Sequence, residues 1–146
     1  MAVLVQRDTY FRVQSGRLKL REEEGAKAHL IAYERSDRAG QRESRYRIAT
    51  VEKADELKAV LAVTVGIEVV VAKERRLFIW DDVRIHLDRV DRLGHFIEFE
   101  AVTDSDGSNT SSAEKRVETL RQAFEIDDAD LIGGSYCDLA LAGRDT

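Results

Sequence analysis

Three acids and several lanes of basic residues are the chemistry this chain offers. Residues 83–100 read VRIHLDRVDRLGHFIEFE, two alternating runs on either side of a short turn. Side chains alternate faces along a strand. Glu98 and Glu100 therefore share a face with Phe96, while Arg84, His86 and Asp88 share a face on the preceding run. Asp88, Glu98 and Glu100 converge on one side of a predicted hairpin. Carboxylates set among Phe and Ile are costly unless they are solvated, paired or bound to a cation, and oxygen ligands of this kind suit Mg2+ or Mn2+.

The cations follow the same period. Arg17, Lys19 and Arg21 face away from Leu18 and Leu20; Lys73 and Arg75 share a face with Val71 and Leu77; Arg45 and Arg47 alternate with Tyr46 and Ile48; Arg35 ends a run that contains Tyr33. A sheet with one face in water produces such lanes, and periodicity alone leaves that reading open. Against it, the leucine face of 17–21 is as apolar as a core face. If the sheet curls, a lumen lined by Lys and Arg must be open to water or filled by anions. Phosphate chains fit that demand, since each guanidinium–phosphate bond contributes roughly 1.5–3 kcal/mol.

The elements that must position these groups are mostly strands. Alternation runs through 3–13, 17–22, 29–35, 43–49, 67–80, 82–90 and 95–103, punctuated by Gly16, Gly25, Gly40, Gly66 and Gly94. Helical spacing appears in 52–64, with Leu57, Val60 and Leu61, and in 112–124, with Val117, Leu120 and Phe124. Ser111 followed by Glu114 fits a capping box for the second helix, after a polar loop at 104–111. Residues 134–141 read as a last strand-like piece. The absence of repeats and linkers predicts one α+β domain over 1–146, antiparallel and flanked by two or three helices.

Composition narrows the function classes. The formal net charge is −5 although 35% of residues are charged, which argues against nonspecific nucleic-acid binding. One cysteine, Cys137, allows no intrachain disulfide. No apolar run approaches the roughly 20 residues that span a bilayer, and the first residues do not read as a signal peptide, so a cytoplasmic protein without membrane partners is the expectation. Among the remaining polar residues, His86 lies on the Arg84 and Asp88 face, where it could contact substrate or support the ligating groups from behind. His95 falls opposite Glu98 and reads as structural, and His29 reads as exposed. Cys137 reads as a buried thiol, Asp8 and Tyr10 as a strand-end anchor, Asp81 and Asp82 as a turn, and the Asp127, Asp128, Asp130 group as a solvated loop or helix cap.

Taken in order, the runs QRDTYF at 6–11, GRLKLR at 16–21, LIAYER at 30–35, KERRLF at 73–78, HLD at 86–88 and FIEFE at 96–100 resemble the CYTH family, the triphosphate tunnel metalloenzymes. The likeness runs from about residue 6 to Tyr136, Cys137, Asp138 and Leu139. It implies an antiparallel β-barrel, or tunnel, that binds ATP or another triphosphate together with Mg2+ or Mn2+. By this resemblance Lys19, Arg21, Arg35, Lys73, Arg75 and Arg84 would contact phosphate, and Asp88, Glu98 and Glu100 would hold metal. The wording of the motifs is closest to class IV adenylyl cyclases, which make cyclic AMP and pyrophosphate from ATP. Hydrolysis of tripolyphosphate or thiamine triphosphate is the alternative, and a noncatalytic nucleotide- or polyphosphate-binding module the third reading.

One feature of that family has no counterpart here. Its E-x-E-x-K strand and following helix precede the QRDTYF run, and residues 1–5 contain no acid. The resemblance therefore implies a domain without its first strand and helix, with an open sheet edge. Three accounts are open: a true start further upstream, a natural truncation with weak or no catalysis, and completion by a second copy in a homodimer.

Overall fold

The computed structural model describes residues 1–35, 44–101 and 110–144; the side chains of Arg35, Ser44, Thr110, Ser111 and Arg144 also fall outside the description. Seven strands form one antiparallel sheet: β1 (Ala2–Phe11), β2 (Arg17–Glu23), β3 (Ala28–Arg35), β4 (Ser44–Val51), β5 (Ile67–Trp80), β6 (Val83–Val90) and β7 (Gly94–Ala101). Their spatial order is β4-β3-β2-β1-β5-β6-β7. Three helices accompany them: α1 (Ala54–Thr64), α2 (Thr110–Ala123) and α3 (Tyr136–Arg144). The tunnel-type α+β architecture implied by the motifs is present. Among the described residues its sheet is open, with β4 and β7 as its two edges.

The step that sequence order does not announce is the central one, where β1 pairs with β2 on one side and with β5 on the other. Register across that step sets the site. Asp8 lies opposite Arg21 and Val71, Gln6 opposite Glu23 and Lys73, and Tyr10 opposite Lys19. Further along, Arg75 faces Asp88, His86 faces Glu98 and Arg84 faces Glu100. Because facing partners point to the same side of a sheet, all these groups belong to one face.

Each face has its own core. On the polar face, Tyr10, Ile31, Tyr33, Val69, Val71 and Val90 pack around Cys137 of α3. On the other face, Val83 and Ile85 pack against Leu120 of α2, with Phe99 and Ala101 at the margin. Ala113, Val117 and Leu120 are buried at helical spacing along α2. Phe124, just past the end of α2, meets Phe99 with ring centroids 5.7 Å apart. Leu20, on the leucine face of β2, is fully buried.

Residues 134–141 correct the strand reading, since Tyr136–Arg144 is helix α3. Two physical causes are visible. Tyr136, Cys137, Ala140 and Leu141 recur at helical spacing and pack into the polar-face core. Ser135 and Asp138 cap the start reciprocally: the Asp138 N–H donates to Ser135 Oγ at 3.2 Å, and the Ser135 N–H donates to Asp138 Oδ2 at 2.9 Å. The Asp127 group forms a single 3-10 turn over Asp128–Asp130 with a similar reciprocal cap. Residues 81 and 82 form the β5–β6 turn. Helix α2 begins at Thr110, and the Ser111 cap, like the loop at 102–109, falls outside the described residues.

Candidate functional site

Asp8 sits at the centre of the polar face with three cations around it. Arg21 donates to it twice, Nε to Oδ1 at 2.8 Å and Nη2 to Oδ2 at 2.7 Å. Lys19 Nζ donates to Oδ2 at 3.1 Å, and Lys73 Nζ stands 3.7 Å from the same oxygen. Asp8 is 1% exposed, so water screens its charge little. Burial alone would raise its pKa, but the Arg21 hydrogen bonds and the Lys19 and Lys73 charges outweigh burial and hold the carboxyl well below the ordinary range. The lysines respond in the opposite sense. Desolvation, partly offset by Asp8, pushes Lys19 down to about 8 and Lys73 down to about 7.

A second pair lies one step along β5. Arg75 grips Asp88 through Nε–Oδ1 at 2.8 Å and Nη2–Oδ2 at 2.7 Å, and the Tyr136 hydroxyl donates to Oδ2 at 2.7 Å. Both oxygens of Asp88 are therefore engaged. Burial raises the Asp88 pKa, but the Arg75 bonds and charge more than reverse it. The Tyr136 phenol is pushed well above its ordinary value by burial and by Asp88 beside it. Helix α3 also brings the Tyr136 ring to 5.3 Å from Lys73 Nζ and 5.0 Å from the Phe96 ring. It ties itself to β2 through an Arg17–Asp138 ion pair. Lys19 Nζ lies 5.6 Å from the Tyr10 ring and 5.3 Å from the Tyr33 ring, so aromatic faces hold its ammonium on the other side.

Glu98 and Glu100 stand on the edge strand β7, facing His86 and Arg84 of β6. His86 Nδ1 is 3.6 Å from Glu98 Oε1, and Nε2 is 3.7 Å from Glu100 Oε2. Among the described residues, one donor atom from each of His86, Glu98 and Glu100 can be chosen so that all lie within 4.8 Å of one another. Arg84 reaches Glu100 at 3.8 Å from a half-exposed position, which places it with the acids. Of the nine residues assigned from the resemblance, Lys19, Arg21, Lys73, Arg75 and Asp88 meet in the buried cluster. Arg84, Glu98 and Glu100 meet at its rim, and the Arg35 side chain lies outside the described residues.

Sequence reasoning undervalued three groups. Asp8 read as a strand anchor because nothing local reveals that β1 separates β2 from β5. Tyr136 falls in the strand-like run 134–141, and helix α3 is what turns its hydroxyl to Asp88. The parity of His86 with Asp88 is legible in the sequence, but its pairing opposite Glu98 is not. Cys137 is buried, and burial pushes its thiol up to about 11, as suits an inert core group.

A family model described as the CYTH domain matches residues 1–136. The chain belongs to the CYTH domain family. This CYTH domain is similar in structure to a Pyrococcus horikoshii OT3 protein, 19% identical with a TM-score of 0.81, the match covering 95% of this chain and 84% of that one. It is similar to a conserved hypothetical protein from Pyrococcus furiosus, 18% identical with a TM-score of 0.78, over 95% of this chain and 84% of the other. A third likeness, 24% identical with a TM-score of 0.71 over 94% and 80% of the two chains, is to a structure described as a "putative adenylate cyclase" from Vibrio parahaemolyticus. No curated protein matches the chain. Among the described residues of this CYTH domain, no helix is long and apolar enough to cross a membrane.

Proposed function

We propose that this CYTH domain is a metal-dependent enzyme acting on a triphosphate, adenylyl cyclase-like, converting ATP to cyclic AMP and pyrophosphate. One observation carries the reading: Lys19, Lys73 and Arg75 are buried, and Arg21 half-buried, on the same sheet face that presents His86, Glu98 and Glu100 at its β7 end. Four cations against the two buried carboxylates Asp8 and Asp88 leave an unmet positive charge in a dry setting. A polyphosphate supplies that missing charge through charge-assisted hydrogen bonds.

The donor chemistry fits a divalent cation, because two carboxylates flank an imidazole whose buried Nδ1 makes no hydrogen bond. Glu98 and Glu100 are the oxygen ligands, while Asp88 orients Arg75. When bound, Mg2+ or Mn2+ neutralises charge developing on the leaving phosphates. The lysines and arginines hold the chain so that the ribose 3′-oxygen stands in line with the α-phosphorus. That oxygen forms the new ester bond as the α–β bridging bond breaks, its proton passes to solvent, and pyrophosphate leaves. Electrostatic preorganisation is the main rate contribution. The likeness to the Vibrio structure favours the cyclase reading over attack by water.

Incubation with ATP and Mn2+, followed by identification of the products, tests this. Cyclic AMP with pyrophosphate supports the cyclase. ADP or inorganic phosphate would replace it with a triphosphatase, and ligand binding without turnover would reduce the domain to a binding module. Glu98→Ala with Glu100→Ala removes metal-dependent turnover and leaves phosphate binding measurable; an unchanged rate would remove both glutamates from the mechanism.

A further inference from the structure

His86 is 3% exposed, and its Nδ1 is a buried polar atom without a hydrogen-bond partner. Leaving such a group unsatisfied is unfavourable, because its lost hydration is not replaced. Glu98 Oε1 stands 3.6 Å from that nitrogen, too far for a hydrogen bond, and does not remove the cost. The spacing suits a different partner. Around an octahedral ion with ligands at about 2.1 Å, neighbouring donors stand about 3.0 Å apart and opposed donors about 4.2 Å apart. The Nδ1–Glu98 separation falls between those limits; the Glu100 separation is measured from the other ring nitrogen, and one donor atom from each of the three residues lies within 4.8 Å of the others.

The carboxylate that could otherwise complete an all-oxygen set is Asp88, two residues along β6 on the same face. Its oxygens already accept from Arg75 and Tyr136 at 2.7–2.8 Å. Releasing it would leave the Arg75 guanidinium buried and unpaired, which is strongly unfavourable. His86 has no such prior engagement.

We propose that His86 supplies a nitrogen ligand beside Glu98 and Glu100, so that the site binds Mn2+ in preference to Mg2+. Imidazole suits transition metals, whereas Mg2+ seeks oxygen and sheds its water reluctantly. The inference rests on the reading of Glu98 and Glu100 as metal ligands and adds to it the donor type and the selectivity that follows.

The test uses the wild-type chain with Mn2+ alone. Electron spin echo modulation of the bound ion should show a directly coordinated 14N, replaced by a 15N signal when the protein is grown with 15N-histidine. The chain has three histidines; His86→Asn should abolish the coupling while the glutamates still bind Mn2+ more weakly, and His86→Asp should bring Mn2+ and Mg2+ affinities to within a few-fold of each other. In the wild type Mn2+ should bind at least tenfold more tightly than Mg2+ by calorimetry. Mn2+ bound through Glu98 and Glu100 without nitrogen coupling would overturn the inference and leave the metal site standing. No Mn2+ binding at millimolar concentration, or binding unchanged by Glu98→Ala with Glu100→Ala, would overturn both. If the buried substitutions unfold the protein, His29→Gln with His95→Gln decides the source: a retained nitrogen coupling assigns it to His86, and its loss overturns the inference.

Discussion

Arg75 and Asp88 meet as a two-point fork, Nε on Oδ1 at 2.8 Å and Nη2 on Oδ2 at 2.7 Å, across facing positions of β5 and β6. The Asp88 side chain is fully buried and the Arg75 side chain 10% exposed. Removing one partner strands the other charge. Arg75→Ala and Asp88→Ala should each lower unfolding free energy by about 3–5 kcal/mol in urea titrations, whereas Arg75→Met with Asp88→Leu should recover most of the loss. Tyr136→Phe, which deletes one hydrogen bond to Asp88, should cost about 1 kcal/mol. Single variants with wild-type midpoints would show that the fork contributes no stability.

Asp8 acts as a resident anion among Lys19, Arg21 and Lys73, and an incoming phosphate must compete with it for the same donors. Asp8→Asn should therefore have two opposite effects. Without ligand, the protein should melt several degrees lower, because three cations then repel one another in a dry setting. With tripolyphosphate, binding should tighten several-fold and become steeper in its salt dependence. Calorimetric titration at two ionic strengths measures the second effect; weaker binding in Asp8→Asn would show that Asp8 orders the cations and does not compete with the ligand.

The lysine shifts make a pH prediction with a definite sign. Lys73 at about 7 and Lys19 at about 8 lie below the ordinary lysine value of 10.5. Between roughly pH 7 and 10 the unfolded chain therefore holds more protons than the folded one, and unfolding free energy from these groups rises with pH in that window. Bound tripolyphosphate keeps both lysines protonated, so the slope should flatten and proton uptake should accompany binding near pH 8. Lys73→Met should flatten the slope of the free protein by itself. Urea midpoints at pH 7 and 9.5, with and without ligand, check this, and a free protein that loses stability across the window through these lysines would contradict the burial argument.

What could be read from the sequence follows from how local its cause is. Alternation is a property of one strand, so Lys19 with Arg21, Lys73 with Arg75 and Glu98 with Glu100 could each be placed on a face without knowing the fold. The clustering of those pairs depends on β1 lying between β2 and β5, a long-range pairing that leaves no mark within either run. Asp8 was undervalued for that reason. Asp88 and His86 share parity, so only the Arg75 fork and the Tyr136 hydroxyl distinguish a paired acid from a neighbour of Glu98 and Glu100. The start of α3 is legible, because Ser135 and Asp138 form a helix-start signature three residues apart.

Gly16 ties the β1–β2 turn to the aromatic wall of the site. Its φ is +66°, and a Cβ there would lie 2.8 Å from the Tyr33 carbonyl oxygen, closer than backbone atoms tolerate. Gly25 has φ +76° with open space around the same added atom. The two alanine variants separate backbone strain from collision. Gly25→Ala should cost about 1 kcal/mol, from the left-handed conformation alone. Gly16→Ala should cost about 2–3 kcal/mol, because β3 must also give way. Since Tyr33 packs against Lys19, that displacement should weaken tripolyphosphate binding in Gly16→Ala and leave it unchanged in Gly25→Ala. Equal stability losses in the two variants would mean that the Gly16 turn does not press on β3.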